Sequence, residues 1–205
     1  METREKILVG AGTLFIKEGF KVITMDSIAQ ALGISKRTIY ENFRDKQDLI
    51  SNFLLKNSIN HKNELLEIVN KSENVIEALI QFGYHNKETF SKYNPLYFED
   101  LKKYYAELFD SIIGGEQVGN NQITYLILKK GVNEGTFSKS IDIDVANRFI
   151  HKTMDYFFKL DQDHGIPHPV IWQTIFVPYI KGICTKKGLE ILNAVIQKDK
   201  NLLNC

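Results

Sequence analysis

Cysteine is scarce in this sequence: Cys184 and Cys205 are the two among 205 residues, and they show neither a pairing pattern nor metal-ligand spacing. A disulfide framework is therefore not expected, and reduced thiols suit a cytoplasmic protein. No stretch approaches the ~20 consecutive apolar residues of a membrane span, so no membrane partner is expected. The opening METREKILVG is interrupted by charge, which argues against a signal peptide. An excess of one charge is also missing, because 26 basic and 25 acidic residues leave a formal net charge of +1. Any case for nucleic acid must then rest on where the charges sit. No repeat and no low-complexity tract occurs. What is present is ordinary globular composition, 43% hydrophobic and 25% charged, enough to build a packed core.

Apolar residues recur at helical spacing almost throughout. Ile7, Leu8, Ala11, Leu14 and Phe15 form one stripe that ends at Gly19. Thr24 is placed to cap a helix carrying Met25, Ile28, Ala29 and Leu32, and Gly33 interrupts it. Ser35 caps a short helix through Ile39 and Tyr40, and Asp45 caps a third start leading to Leu49, Ile50, Phe53 and Leu54. Further on, Ser72 is a cap for Val75–Phe82, Asn94-Pro95 is a helix start, and Gly131 and Gly135 end an element beginning near Ile123. Asp142 or Asp144 caps a helix over 143–160, and DHGIPHP (163–169) is a loop before a last apolar helix over 169–184. The pairs Val22-Ile23 and Ile141-Ile143 are too short for a sheet. The expected fold class is all-α.

The informative window is TMDSIAQALGISKRTIYENFRDKQDLI, residues 24–50. A helix-turn-helix packs two short helices steeply across a tight turn. It needs a small residue at the crossing, met by Ala29, and a left-handed turn residue four positions on, met by Gly33. It also needs a branched apolar plug in the second helix, met by Ile39, with Ile28, Leu32 and Ile34 completing the inner face. The outer side then carries Lys36, Arg37, Thr38 and Tyr40, two cations and two hydroxyls for bases and phosphates in a major groove. The capped helix starts at Thr24 and Asp45 offer backbone N–H groups to phosphates, and Lys46 adds a phosphate contact. The DNA-binding set is thus Thr24, Ser35, Lys36, Arg37, Thr38, Tyr40 and Lys46.

These residues resemble the TetR/AcrR family of bacterial regulators. The resemblance runs over residues 4–55, through AGTLFIKEGF, T24–F43 and D45–I50, and the Tyr40-x-x-Phe43 pair followed by Asp45-Lys46 is its most specific part. It implies an N-terminal three-helix DNA-binding domain, assigned to 1–50. It further implies a helical bundle for effector binding and dimerisation, assigned to 51–205. It also implies a ligand-responsive repressor that acts as a homodimer on a palindromic double-stranded operator. The helices implied for the dimer interface carry Phe149, Met154 and Phe157, then Trp172, Phe176, Tyr179 and Ile183. Arg37 stands where many family members have a small residue, so their half-site preference does not transfer.

An unknown small-molecule effector is expected in the second domain. Residues 82–109 are rich in aromatics, and a buried tyrosine needs a partner for its hydroxyl, which a polar ligand can supply. Tyr84, His85, Tyr97, Tyr104 and Tyr125 are the candidates, although aromatics at helical spacing usually form core. Pro178 should either kink a helix, freeing the Thr174 carbonyl and widening space for an effector, or mark a boundary between two helices. His164 and His168 with Asp161 and Asp163 lack a third ligand of known geometry, so no metal and no cofactor is expected. His85 and His151 are read as packing or capping residues, and Cys184 as an inert thiol in an apolar helix. The alternatives are an interaction protein of the same fold without effector control, and an enzyme. Against an enzyme stand the lack of a nucleophile–base pair, a phosphate-binding glycine loop and a carboxylate cluster on one helix face.

Overall fold

Helices form where the 3.6-residue apolar spacing calls for them, and the computed structural model contains no strand among its described residues. Those residues are 2–114, 120–164 and 166–198; within the helices the side chains of 120, 121, 154–164, 168 and 169 lie outside the description. The order is α1 (Thr3–Glu18), α2 (Met25–Leu32), α3 (Lys36–Asn42), α4 (Lys46–Lys71), α5 (Val75–Phe90), α6 (Leu96–Tyr104) and α7 (Ala106–Phe109). After these come α8 (Asn120–Asn133), α9 (Ile143–His164), α10 (His168–Ile171), α11 (Val177–Ile183) and α12 (Lys186–Lys198). None of the described helices is long and apolar enough to cross a membrane.

The chain folds as two compact units, Met1–Glu64 with Glu88–Gly119, and Leu65–Lys87 with Asn120–Cys205. In the first, α1 buries Ile7, Leu8, Ala11 and Phe15 on one face, packed against Ile28, Ile39, Phe43, Leu49, Ile50, Phe53 and Tyr97. Gly12 is required there, because a Cβ at that position would overlap the Phe53 ring. Helix α6 is tied to the end of α1 by polar contacts. The Asn94 N–H donates to the Ile16 carbonyl at 2.8 Å, the Asn94 side-chain amide donates to the Lys17 carbonyl, and the Lys21 N–H donates to the Asp100 carboxylate at 2.7 Å.

The second unit has its own core, built from Val75, Ile76, Leu79, Phe82, Ile123, Ile127, Phe137, Ile150, Trp172, Phe176, Ile180 and Leu192. Asn74, not Ser72, caps α5: its side-chain oxygen accepts the N–H groups of Ile76 and Glu77, while the Ser72 hydroxyl turns back to the Ile68 carbonyl. Asp142 is the cap chosen at α9, accepting from Val145. Helix α8 runs through Gly131 and stops before Gly135, which takes a left-handed φ of 72°. Of the two outcomes expected from sequence, Pro178 follows the boundary: it sits in the first turn of α11, which starts at Val177. The chain stays helical from α10 into α11, but Trp172–Phe176 forms a widened π turn in which the Val177 N–H donates to the Trp172 carbonyl. A π turn shifts the hydrogen-bond register by one residue, which accommodates a proline that has no N–H to donate.

His151 on α9 meets the Phe82 ring edge-on, and its Nε2 is buried with no hydrogen-bond partner among the described residues. Burial lowers its pKa from 6.5 to about 4. The unfolded chain therefore takes up this proton first as pH falls, so the stability tied to the neutral ring is complete above about 6.5 and is lost toward 4. His151→Phe should remove that dependence. The wild type's unfolding free energy relative to the variant should fall by at most roughly 3 kcal/mol between pH 7 and pH 4. Denaturant melts at both pH values check this, and a flat difference would contradict it.

Candidate nucleic-acid interface

The α2–α3 turn is set by short-range chemistry. Thr24 and Ser27 cap α2 reciprocally: Thr24 Oγ1 accepts the Ser27 N–H at 3.0 Å, and Ser27 Oγ accepts the Thr24 N–H at 2.8 Å. Gly33 ends the helix at φ 63°, ψ 33°, a left-handed conformation, and the Ile34 N–H returns to the Ala29 carbonyl at 3.0 Å. Ser35 starts α3 by accepting the Thr38 N–H at 3.0 Å. On the inner side Ile28, Ala29, Ile39 and Phe43 are buried. Such a turn makes a specific prediction. No atom lies within 4 Å of a Cβ built on Gly33, so Gly33→Ala meets no clash and carries only the backbone penalty of the left-handed region, about 1–2 kcal/mol. Urea melts measure this, and Gly33→Asn should lose less.

The outer side of α3 is open. The side chains of Lys36 and Arg37 are 51% and 86% exposed, and Tyr40 is 47% exposed. Thr38 is half-buried, its hydroxyl 2.8 Å from that of Ser35. The cations do not stand alone, however. Lys36 Nζ lies 2.7 Å from Asp26 on α2, and Arg37 Nε lies 2.9 Å from Glu41 one turn on. Lys46 behaves differently from the other cations. Its ammonium turns to the Phe20 carbonyl, and desolvation lowers its pKa against an opposing pull from Asp100. In this arrangement it ties the start of α4 to the α1–α2 connection. Asp26 and Glu41 did not figure in the sequence-based set. The Arg37–Glu41 pair is readable from i,i+4 spacing, whereas Asp26 reaches Lys36 only because the turn folds α2 against α3.

The ligand candidates fall in both units. Tyr97 is 1% exposed in the first core, and Tyr104 is exposed beside Lys21 and Lys103. Tyr84, His85 and Tyr125 belong to the second unit, where Tyr84 packs on Trp172 with ring centroids 5.7 Å apart. A cavity of about 470 Å³ in that unit lies between the start of α5 and α12 and is lined by none of the five. Of the interface candidates, Trp172, Phe176 and Ile183 are buried in the unit's own core. Phe149 is 44% exposed and packs on half-buried Tyr179 at 4.6 Å. The side chains of Met154 and Phe157, and those of His164, His168, Asp161 and Asp163, lie outside the described residues.

A short helix held by core contacts on one side and left open with cations and hydroxyls on the other is the reading head of a helix-turn-helix DNA-binding regulator. Residues 7–52 match the family model for bacterial regulatory proteins, tetR family. Over these residues the chain is similar to the tetR family of bacterial regulatory proteins. It is 25% identical over 73% of its length, and 75% of the relative's, to the HTH-type transcriptional repressor KstR2 of Rhodococcus jostii (strain RHA1). Among solved structures, a TetR-family regulator from Cytophaga hutchinsonii aligns with TM-score 0.76 at 17% identity, covering 90% of this chain and 96% of that one. Another, from Agrobacterium tumefaciens, aligns with TM-score 0.73 at 15% identity, covering 89% and 98%.

Proposed function

We propose that this chain is a cytoplasmic, ligand-responsive repressor that binds a roughly palindromic operator as a homodimer. Residues 1–50 then read DNA, and residues 51–205 bind the effector and the second subunit. The observation that carries the reading is the exposed Lys36–Tyr40 edge of a helix whose other side is fully buried through Ile39 and Phe43. The similarity to a curated repressor favours repression over activation. Dimerisation is supported by Val145, Phe149 and Val170, large apolar side chains left exposed on the second unit. One small module with few phosphate contacts binds weakly at physiological salt, which two linked copies overcome. Effector binding is supported by the buried, unsatisfied His151 Nε2, with Tyr84, His85 and Tyr125 of the same unit as candidate contacts. An effector would act by favouring a spacing of the two recognition helices that misses the operator.

The test is salt-dependent binding of the full-length protein to the DNA upstream of its own reading frame, against a scrambled duplex. Tyr40→Ala should weaken specific binding about tenfold per half-site, the cost of one lost base or phosphate contact, and leave dimerisation intact. Equal affinity of the wild type for both duplexes would remove the reading.

A further inference from the structure

The two cations best placed for DNA are each matched to a carboxylate, and the match does not serve the helix. Helix α3 has no acid in its first turn and no base in its last; instead Lys36 and Arg37 stand at the positive end of the helix dipole and Glu41 toward the negative end. That order opposes the dipole at both ends, and Arg before Glu is the weaker i,i+4 orientation. Exposed pairs of this kind add little stability in water. Their geometry does, however, select which donors remain available. Glu41 occupies the Nε of Arg37, so the terminal guanidinium nitrogens stay free, and these form the fork that fits guanine O6 and N7. Asp26 takes one of the three ammonium donors of Lys36, and its hydrogen bond raises the Lys36 pKa, so the group stays charged.

We infer that Glu41 and Asp26 are positioning residues that aim Arg37 and Lys36 at guanine edges while cancelling their charge toward phosphates. The two cations then contribute sequence preference in place of general DNA affinity. The inference rests on the DNA-binding reading of this face. A base edge carries no net charge, so a carboxylate beside an Arg or Lys that reads it is repelled less than one beside a phosphate contact. A phosphate would be repelled by that same carboxylate, and a cation already neutralised releases no counterion when it meets a phosphate. Side chains of Asp26 and Glu41 that are 69% and 56% exposed also mean that their amide counterparts should fold normally.

The experiment compares full-length wild type, Asp26→Asn, Glu41→Gln and Arg37→Ala, with thermal melts confirming that each is folded. Selection from a random-sequence duplex pool reads base preference, and titration of a fixed random duplex at several salt concentrations reads the non-specific component. Each amide variant should steepen the logarithmic salt dependence by about one unit per freed cation and bind the random duplex severalfold more tightly at low salt. Glu41→Gln should lose about tenfold of the preference for guanine at one half-site position, the same position at which Arg37→Ala loses it. Unchanged salt slopes together with unchanged guanine enrichment in both amide variants would overturn the inference while leaving DNA binding standing. A wild type that enriches no motif and binds no duplex would remove the DNA-binding reading itself, and this inference with it.

Discussion

Phe20→Ala is expected to destabilise the first unit by about 3–5 kcal/mol, the usual cost of emptying a buried aromatic site. Phe20 is fully buried at the centre of a ring cluster. It stacks on Phe15 at 4.9 Å, tilts against Tyr97 at 4.7 Å, and lies 6.1 Å from Tyr105 and 6.5 Å from Phe53. These rings come from α1, α4 and the α6 region, so the void would open where three helices meet and little can collapse into it. The Phe20 carbonyl also accepts the Lys46 ammonium, so a shift of this residue would disturb the start of α4. The urea midpoint should fall by about 1 M or more, given typical denaturant sensitivities. A fall of only a few tenths would mean that the ring is not the keystone of this core.

Phe149→Glu is expected to split the proposed homodimer and to weaken operator binding by about a hundredfold or more, because an unpaired charge would be forced into an apolar interface. Val145 and Phe149 are four residues apart on α9, hence on one face, and both are exposed. Phe149 already rests on Tyr179 of α11, so the apolar surface extends across two helices. In a single subunit Phe149 is half in water, and the substitution should cost the monomer's fold little. In a dimer the two modules share an effective concentration that vanishes once the subunits part. Sedimentation velocity should show a monomer, and anisotropy titration the lost affinity. A variant that remains dimeric would move the interface elsewhere.

Much of the reading head was legible in the sequence because its signals are local. Thr24, Ser35, Asp45 and Asn94 cap helices through hydrogen bonds to residues two or three positions on, and Gly33 supplies a backbone angle that other residues resist. Ala29 and Ile39 follow from the same register. Where two local solutions compete, the reading slipped by a short distance: Asn74 took the cap expected of Ser72.

Partners across space were a different matter. Lys46 reads as a phosphate contact from its place in the motif, yet folding brings it to the Phe20 carbonyl, 26 positions away in sequence. An apolar stripe shows that a helix face seeks cover and does not say whether the cover is the same chain or another. Trp172, Phe176 and Ile183 are therefore claimed by their own core, while Phe149 remains exposed. Periodicity, caps and one glycine were enough to set the all-helical class and the helix-turn-helix. The pairing of Asp26 with Lys36, the burial of Tyr97 and the π turn before Pro178 emerge from packing alone, because each depends on which helices approach one another.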